Sequence, residues 1–279
     1  MGGDTSDPNN YRKLGATSFV PTLYAATDDL IRWAPVDPLF TDVNADGIPD
    51  LAIGRYPVRT NAELLQFFVK QDDYSKKAEL GYDKTAIFAA DAYDKNQKYD
   101  FKGDAEKFIA DSFGDWTVNK IYIDDLGAKT AHANLLAAIN SGKALTAFIG
   151  HSAPSLWTFN TPYLLQASDL LTLTNAGKPT VLVQLGCWNT YFVSPYASTM
   201  AHNALLAGNR GAVAVLGSAT LTGAEAERDL AAELFARLKP GVSMGDALQQ
   251  AKRAYAEFNP EQKDVILGWT LLGHPGLRL

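Results

Sequence analysis

Two apolar runs end in a glycine followed by a residue capable of covalent or proton chemistry. Ala144-Leu145-Thr146-Ala147-Phe148-Ile149 leads into Gly150-His151, and Thr180-Val181-Leu182-Val183-Gln184-Leu185 leads into Gly186-Cys187. Short apolar runs closed by a glycine turn are the pattern of strands buried on both faces of a parallel sheet. Two such strands would deliver an imidazole and a thiol to their carboxyl ends, the edge at which open α/β sheets bind ligands. Cys187 is the only cysteine in the chain. An isolated cysteine is as a rule a buried structural thiol. The matching strand, glycine and histidine make Cys187 the candidate nucleophile and His151 its base. The backbone N–H groups of Ser152 and Cys187 are the candidate oxyanion donors, because glycine-preceded turns let backbone approach a ligand closely. A third group usually orients such a histidine. Asp91, which ends the run Ala86 to Ala90 at the same edge, is the candidate, with a turn cap in the Asp91–Asp94 loop as the competing reading.

Strands and helices must alternate to hold that edge together. Leu51-Ala52-Ile53 reads as a short strand, and Thr60 with Glu63 forms a capping box that opens a helix running to about Lys77. Then come a strand over Thr85 to Ala90, a helix around Ala105 to Phe113, a strand over Val118 to Ile123 and a helix around Ala131 to Ile139. After the His151 and Cys187 strands follow a helix from about Tyr196 to Leu206 and a strand from Gly211 to Gly217. Helices from Ala224 to Leu238 and from Ser243 to Phe258 close the chain, the second with Ser243 and Asp246 in cap spacing. Repeated βαβ units imply an α/β fold with a mainly parallel sheet sandwiched by helices.

The chain has 279 residues, 47% of them hydrophobic and 11% aromatic, as expected of a globular protein with one large core or two modest ones. A formal charge of -6 and the lack of any Lys/Arg cluster argue against a nucleic-acid partner. No apolar run reaches the roughly 18 residues of a membrane-spanning helix. One cysteine forms no internal disulfide, so redox compartment stays open. The first ten residues, polar and turn-like, carry no secretory signal. The Pro-rich stretch behind them reads as the interior of a domain, so the expectation is a piece of a longer secreted or surface chain. Nothing in the sequence fixes the oligomeric state.

Several short motifs, in order, resemble the gingipain-type cysteine peptidases of the caspase-like clan. They are Asp50-Leu51-Ala52-Ile53-Gly54-Arg55-Tyr56-Pro57-Val58, Gly150-His151-Ser152, Gly186-Cys187-Trp188, the Gly211-to-Ser218 strand and Leu272-Gly273-His274-Pro275-Gly276-Leu277. The resemblance implies a caspase/gingipain-like three-layer architecture. It implies a partial N-terminal subdomain over residues 1–80 and a catalytic subdomain over 81–279. It implies a Cys187–His151 dyad that hydrolyses peptide bonds through a thioester acyl-enzyme, with a protein or peptide substrate and no catalytic cofactor. The family usually has glycine where Ser152 stands and aspartate where His274 stands. By the same resemblance Ser218, Thr220 and Thr222 would wall the pocket for the residue before the scissile bond. Members that cleave after Arg or Lys need an acid there, which Asp94 or Asp104, or Asp100 between them, could supply.

Asp42, Asn44, Asp46, Ile48 and Asp50 place oxygens at alternate positions around Gly47, the front half of a calcium loop. The closing glutamate is missing, since Ile53 stands there, and an Asx-stabilised turn is the alternative to a structural Ca²⁺. Two other functions compete with the peptidase. Gly150-His151-Ser152-Ala153-Pro154 is one residue short of a G-x-S-x-G elbow, which would make the chain a serine esterase using Ser152 with Asp246 or Asp264 and His274. The third reading is an inactive peptidase-like binding domain of a surface protein.

Overall fold

A computed structural model describes all of residues 1–279. Six strands form the central sheet: β1 (Thr85–Ala90), β2 (Thr117–Tyr122), β3 (Leu145–Ile149), β4 (Thr180–Leu185), β5 (Ala212–Ser218) and β6 (Trp269–Leu272). Their order is β6-β5-β4-β3-β1-β2, parallel throughout except for the antiparallel edge strand β6. Every residue of β3, β4 and β5 is buried, which is why these strands read as continuous apolar runs rather than alternating ones.

Alternate residues of each strand feed two separate cores. Val181, Val183 and Leu185 face helices α2 (Phe101–Ser112), α5 (Ala224–Arg237) and α6 (Met244–Ala256) on one side. Leu182 and Phe148 face α1 (Asn61–Ser75), α3 (Ala128–Asn140) and α4 (Met200–Leu206) on the other. This period-two split produces the three-layer sandwich. Helix starts follow local chemistry. Thr60 and Glu63 close the expected capping box on α1, and the Ser243 hydroxyl accepts from the Asp246 N–H at 3.1 Å to open α6. No helix is long and apolar enough to cross a membrane.

The segment Leu51–Ile53 is not a strand. Only Arg55 touches the sheet, as a single parallel bridge to Leu272, because its side chain commits this stretch to another partner. The buried guanidinium takes both oxygens of Asp37, at 2.5 and 2.7 Å, and donates to the carbonyls of Gly2 and Val20. Such a bidentate pair fixes the chain where a ladder would have. The helix after Cys187 begins at Met200 rather than Tyr196, capped by Thr199, and residues 188–199 are turns. A three-stranded antiparallel sheet of Ser152–Ala153, Leu156–Trp157 and Leu165–Gln166 follows β3.

The register of β3 on β4 carries the functional consequence. Ile149 pairs with Leu185, so His151 and Cys187 each lie two residues beyond the same rung, at the same sheet edge.

Candidate active site

Both turns that follow this rung require glycine. Gly150 has φ +155°, and a Cβ there would fall 2.4 Å from the Cβ of Asp91. At Gly186 the constraint is space: a Cβ would fall 2.4 Å from Ser152 Oγ and 2.5 Å from the Gly150 carbonyl. The two turns are pressed against each other, which brings the residues after them to one cavity of about 430 Å³. Cys187 and His151 both line it, together with Tyr99, Phe101, Phe159, Trp188, Leu221 and Thr222.

The His151 ring packs edge-on against Phe101, centroids 5.3 Å apart, and stacks near Phe159 at 6.1 Å. Its Nε2 meets Asp94 Oδ2 at 2.9 Å. That hydrogen bond is the main reason the Asp94 carboxyl is held below its ordinary range, so Asp94 is a carboxylate at neutral pH. Asp91, the carboxylate expected on the ring, does not reach it. Its Oδ2 accepts the backbone N–H of His151 at 3.2 Å, while Oδ1 accepts from Ala92 at 2.8 Å and from Asn160 at 3.2 Å. Asp91 is the cap of the Gly150–His151 turn, and burial raises its carboxyl. The ring's carboxylate is three residues further on, where a bridge between Asp94 and Tyr99 folds the loop back toward the sheet edge.

The thiol is engaged elsewhere at rest. Cys187 Sγ donates to the Thr222 carbonyl at 3.5 Å and accepts from the Thr222 hydroxyl at 3.6 Å. No hydrogen bond joins it to His151; the shared cavity does. Burial first, then the nearby Glu227 carboxyl, pushes the thiol above its ordinary value. A buried thiol with no adjacent cation is held protonated.

Ser152 is buried, and its hydroxyl donates to the Cys187 carbonyl at 2.8 Å. Asn189 Nδ2 donates to the Gly186 carbonyl at 2.6 Å and reaches Ser152 Oγ at 3.4 Å, so the two side chains clamp the cysteine turn. The elbow reading of Ser152 fails on two counts. Its strand continues into a hairpin instead of a helix. Strand β6 also runs antiparallel, from Trp269 opposite Ser218 to Leu272 opposite Val215, so His274 leaves the sheet at the opposite edge. Asp246 follows it there, since Gly245 donates to the Pro275 carbonyl. Asp264 stays near the cavity edge, where it accepts from the Gly223 N–H at 3.0 Å.

Of the expected oxyanion donors, the Ser152 N–H lies outside the hairpin ladder. Thr158 donates to the His151 carbonyl at 2.7 Å, which makes Ser152 and Trp157 a non-hydrogen-bonded pair. Of the expected pocket wall only Thr222 lines the cavity. The Ser218 hydroxyl bonds to the backbone of Thr220, and the Thr220 hydroxyl meets that of Thr27 at 2.9 Å. Asp104 is taken by the Tyr99 hydroxyl at 2.7 Å, and it is Tyr99 that lines the cavity.

The loop expected to hold calcium is spent on its own backbone. Asp42 accepts from Asp46 and Gly47, Asn44 from Asp46, and Asp46 from Ile48. Asp50 accepts from Val43 and pairs with Arg253 at 2.9 Å. No group of three or more His, Cys, Asp or Glu side chains is arranged to hold a metal ion.

A model of peptidase family C25 matches residues 1–279. The chain belongs to that family. No curated protein matches it. Among solved structures it is similar to the Arg-specific cysteine proteinase gingipain R, with TM-score 0.72 and 17% identity over 88% of this chain and 60% of that one. The complex of Porphyromonas gingivalis RgpB pro- and mature domains gives TM-score 0.69 and 17% identity over 91% and 62%. The separase of the Saccharomyces cerevisiae separase–securin complex gives TM-score 0.50 and 16% identity over 81% of this chain and 14% of that one. The C25 chain therefore spans about 60% of the gingipain chains and shares their fold.

Two residues of the site had no signal in the sequence. Asn189 stands in what reads as an ordinary turn. Glu227 sits on α5 among Glu225, Arg228 and Asp229, a pattern that reads as a solvated face, yet its side chain is buried at the cavity.

Proposed function

We propose that this C25 chain is the catalytic part of a cysteine peptidase, with Cys187 as nucleophile and His151 as its acid–base partner. The observation that carries the reading is the meeting of Cys187 and His151 in one cavity, with the histidine ring already held by a carboxylate. Asp94 on Nε2 fixes the tautomer with its proton on that nitrogen and leaves Nδ1 as the base.

When a peptide enters, the thiol leaves Thr222 and gives its proton to Nδ1, and Sγ attacks the scissile carbonyl. Separated acid–base groups in an empty site commonly close up only in the substrate complex. The N–H groups of Ser152 and Cys187 stabilise the oxyanion. Collapse breaks the C–N bond, and the imidazolium returns its proton to the leaving amine. The thioester is then cleaved by water, with His151 as base, releasing the acid and the thiol. Every step uses groups of the chain and substrate, without a cofactor. Asp94 stabilises the imidazolium formed on the way.

A fluorogenic peptide library with wild type, Cys187→Ala and His151→Ala tests this. Wild type should cleave, and both variants should lose activity at unchanged melting temperature. Cleavage by Cys187→Ala at the wild-type rate would refute it. The non-catalytic binding-domain reading would follow if wild type cleaved nothing in the library and Cys187 resisted iodoacetamide.

A further inference from the structure

One acid beside the thiol has no part in the steps above. Glu227 on α5 is 3% exposed, and its side chain borders the cavity. Its Oε1 accepts from Trp269 Nε1 at 3.0 Å. Gly186, Cys187 and Thr222 border the same cavity as Glu227, and its anchor Trp269 belongs to the edge strand β6. Thr222 is itself the thiol's partner. Burying a carboxyl group is unfavourable unless donors surround it, and packing alone would be served better by an aliphatic side chain.

We propose that Glu227 is a positioning residue for the nucleophile: its buried carboxyl group, held by Trp269, stands beside the Gly186–Cys187 turn and Thr222 at the cavity and governs how readily Cys187 reacts. The inference rests on Cys187 being the nucleophile of the proposed peptidase.

The surroundings give the charge its leverage. No lysine or arginine lines the cavity. Asp264, on the short helix Lys263–Ile266, is near enough that its charge disfavours charge on both Cys187 and Glu227, and burial raises its own carboxyl. The His151–Asp94 pair and the Tyr99–Asp104 pair complete the ionisable groups around the cavity. Burial pushes Glu227 up to about 8. Below that pH the group is a neutral acid and leaves room for a thiolate. Above it, a second negative charge on Cys187 has to form beside a carboxylate in a buried site.

The rate of Cys187 alkylation by iodoacetamide, followed against pH, tests the inference. Glu227→Gln keeps an oxygen for Trp269 but cannot ionise. Its alkylation profile should rise at lower pH than wild type, by on the order of one unit, with the fold and most of the peptidase rate retained. Glu227→Ala removes the buried carboxyl and its bond to Trp269 and should lower kcat by on the order of a hundredfold, with KM little changed. Superimposable alkylation profiles for wild type and Glu227→Gln would overturn the inference.

Should Glu227→Gln fail to fold, wild type labelled with ¹³C at glutamate carboxyls reports directly. One carboxyl should titrate near 8 and move when Cys187 is alkylated; glutamates that all titrate in the ordinary range and ignore alkylation would overturn the inference. Neither readout needs peptide cleavage. A shifted alkylation profile in a protein that cleaves no peptide would uphold Glu227's role and sink the peptidase reading.

Discussion

Replacing Ser152 with alanine separates two nucleophiles that stand within one small turn system. The Ser152 hydroxyl is a latch: it donates 2.8 Å to the Cys187 carbonyl and lies 3.4 Å from Asn189 Nδ2. Its loss removes one hydrogen bond, worth about 1 kcal/mol net, and leaves a partly buried carbonyl short of a donor, so the total is about 1–3 kcal/mol. For a domain of this size that corresponds to a melting temperature lower by roughly 2–5 °C. Asn189 still holds the Gly186 carbonyl at 2.6 Å, so the turn should loosen rather than collapse. Against a peptide substrate, kcat/KM should fall by about tenfold or less, which is about 1.4 kcal/mol of transition-state stabilisation. Loss of a true nucleophile costs on the order of a millionfold in a hydrolase of comparable design. Calorimetry and initial rates, normalised to the fraction of Cys187 that takes up iodoacetamide, distinguish these outcomes. A Ser152→Ala protein that melts normally, labels fully at Cys187 and has lost more than about 10⁴ in rate would refute the assignment.

The carboxylates near His151 should behave unequally. Asp94→Asn, which leaves the imidazolium without its charged partner, should lower kcat by on the order of a hundredfold, whereas Asp91→Asn should act mainly on melting temperature; an equal kcat loss in both would show that the ring is held differently. Because Asp94 is held below its ordinary range, its support of the ring should persist through mildly acidic pH and disappear only as pH falls through that lowered value. At the Asp42–Asp50 loop, thermal melts in EGTA and in added calcium should coincide, because each acid already serves a backbone N–H or Arg253; a calcium-dependent rise in the midpoint would restore the metal site.

The parts of this molecule that sequence made legible share one property: their neighbours are fixed by burial alone. β3 and β4 are buried on both faces, so their composition announces them, and a glycine after each marks where chemistry can emerge. Leu51–Ile53 has similar composition but is governed by Arg55, whose buried partner Asp37 is eighteen residues earlier and carries no local signal. The hairpin after His151 is built from strands of two residues, below the length at which alternation is detectable. The Asp91 expectation failed through reach: the residue at the strand end lies beside the His151 backbone, while the ring extends to a carboxylate that the loop returns from further along. Glu227 was hidden because three of its neighbours on α5 are charged, and helical periodicity averages over the one acid that turns inward.

The way the site is held explains why the thiol rests away from the histidine. Ser152 and Asn189 fasten the carbonyl groups of Cys187 and Gly186. With the turn's backbone held, Cys187 moves chiefly by rotating its own side chain between Thr222 and the open cavity. With Thr222 it is a protonated thiol, raised by burial and by Glu227. Toward the cavity it meets the one ring able to take its proton, already steadied by Asp94. On the proposed peptidase reading, a peptide bound across the mouth would displace water and strengthen the charge interactions within, favouring proton transfer from the thiol to the ring. Rigidity of the turn together with freedom at one side-chain torsion is what this arrangement requires, and both turns obtain that rigidity from glycines pressed too close for any side chain.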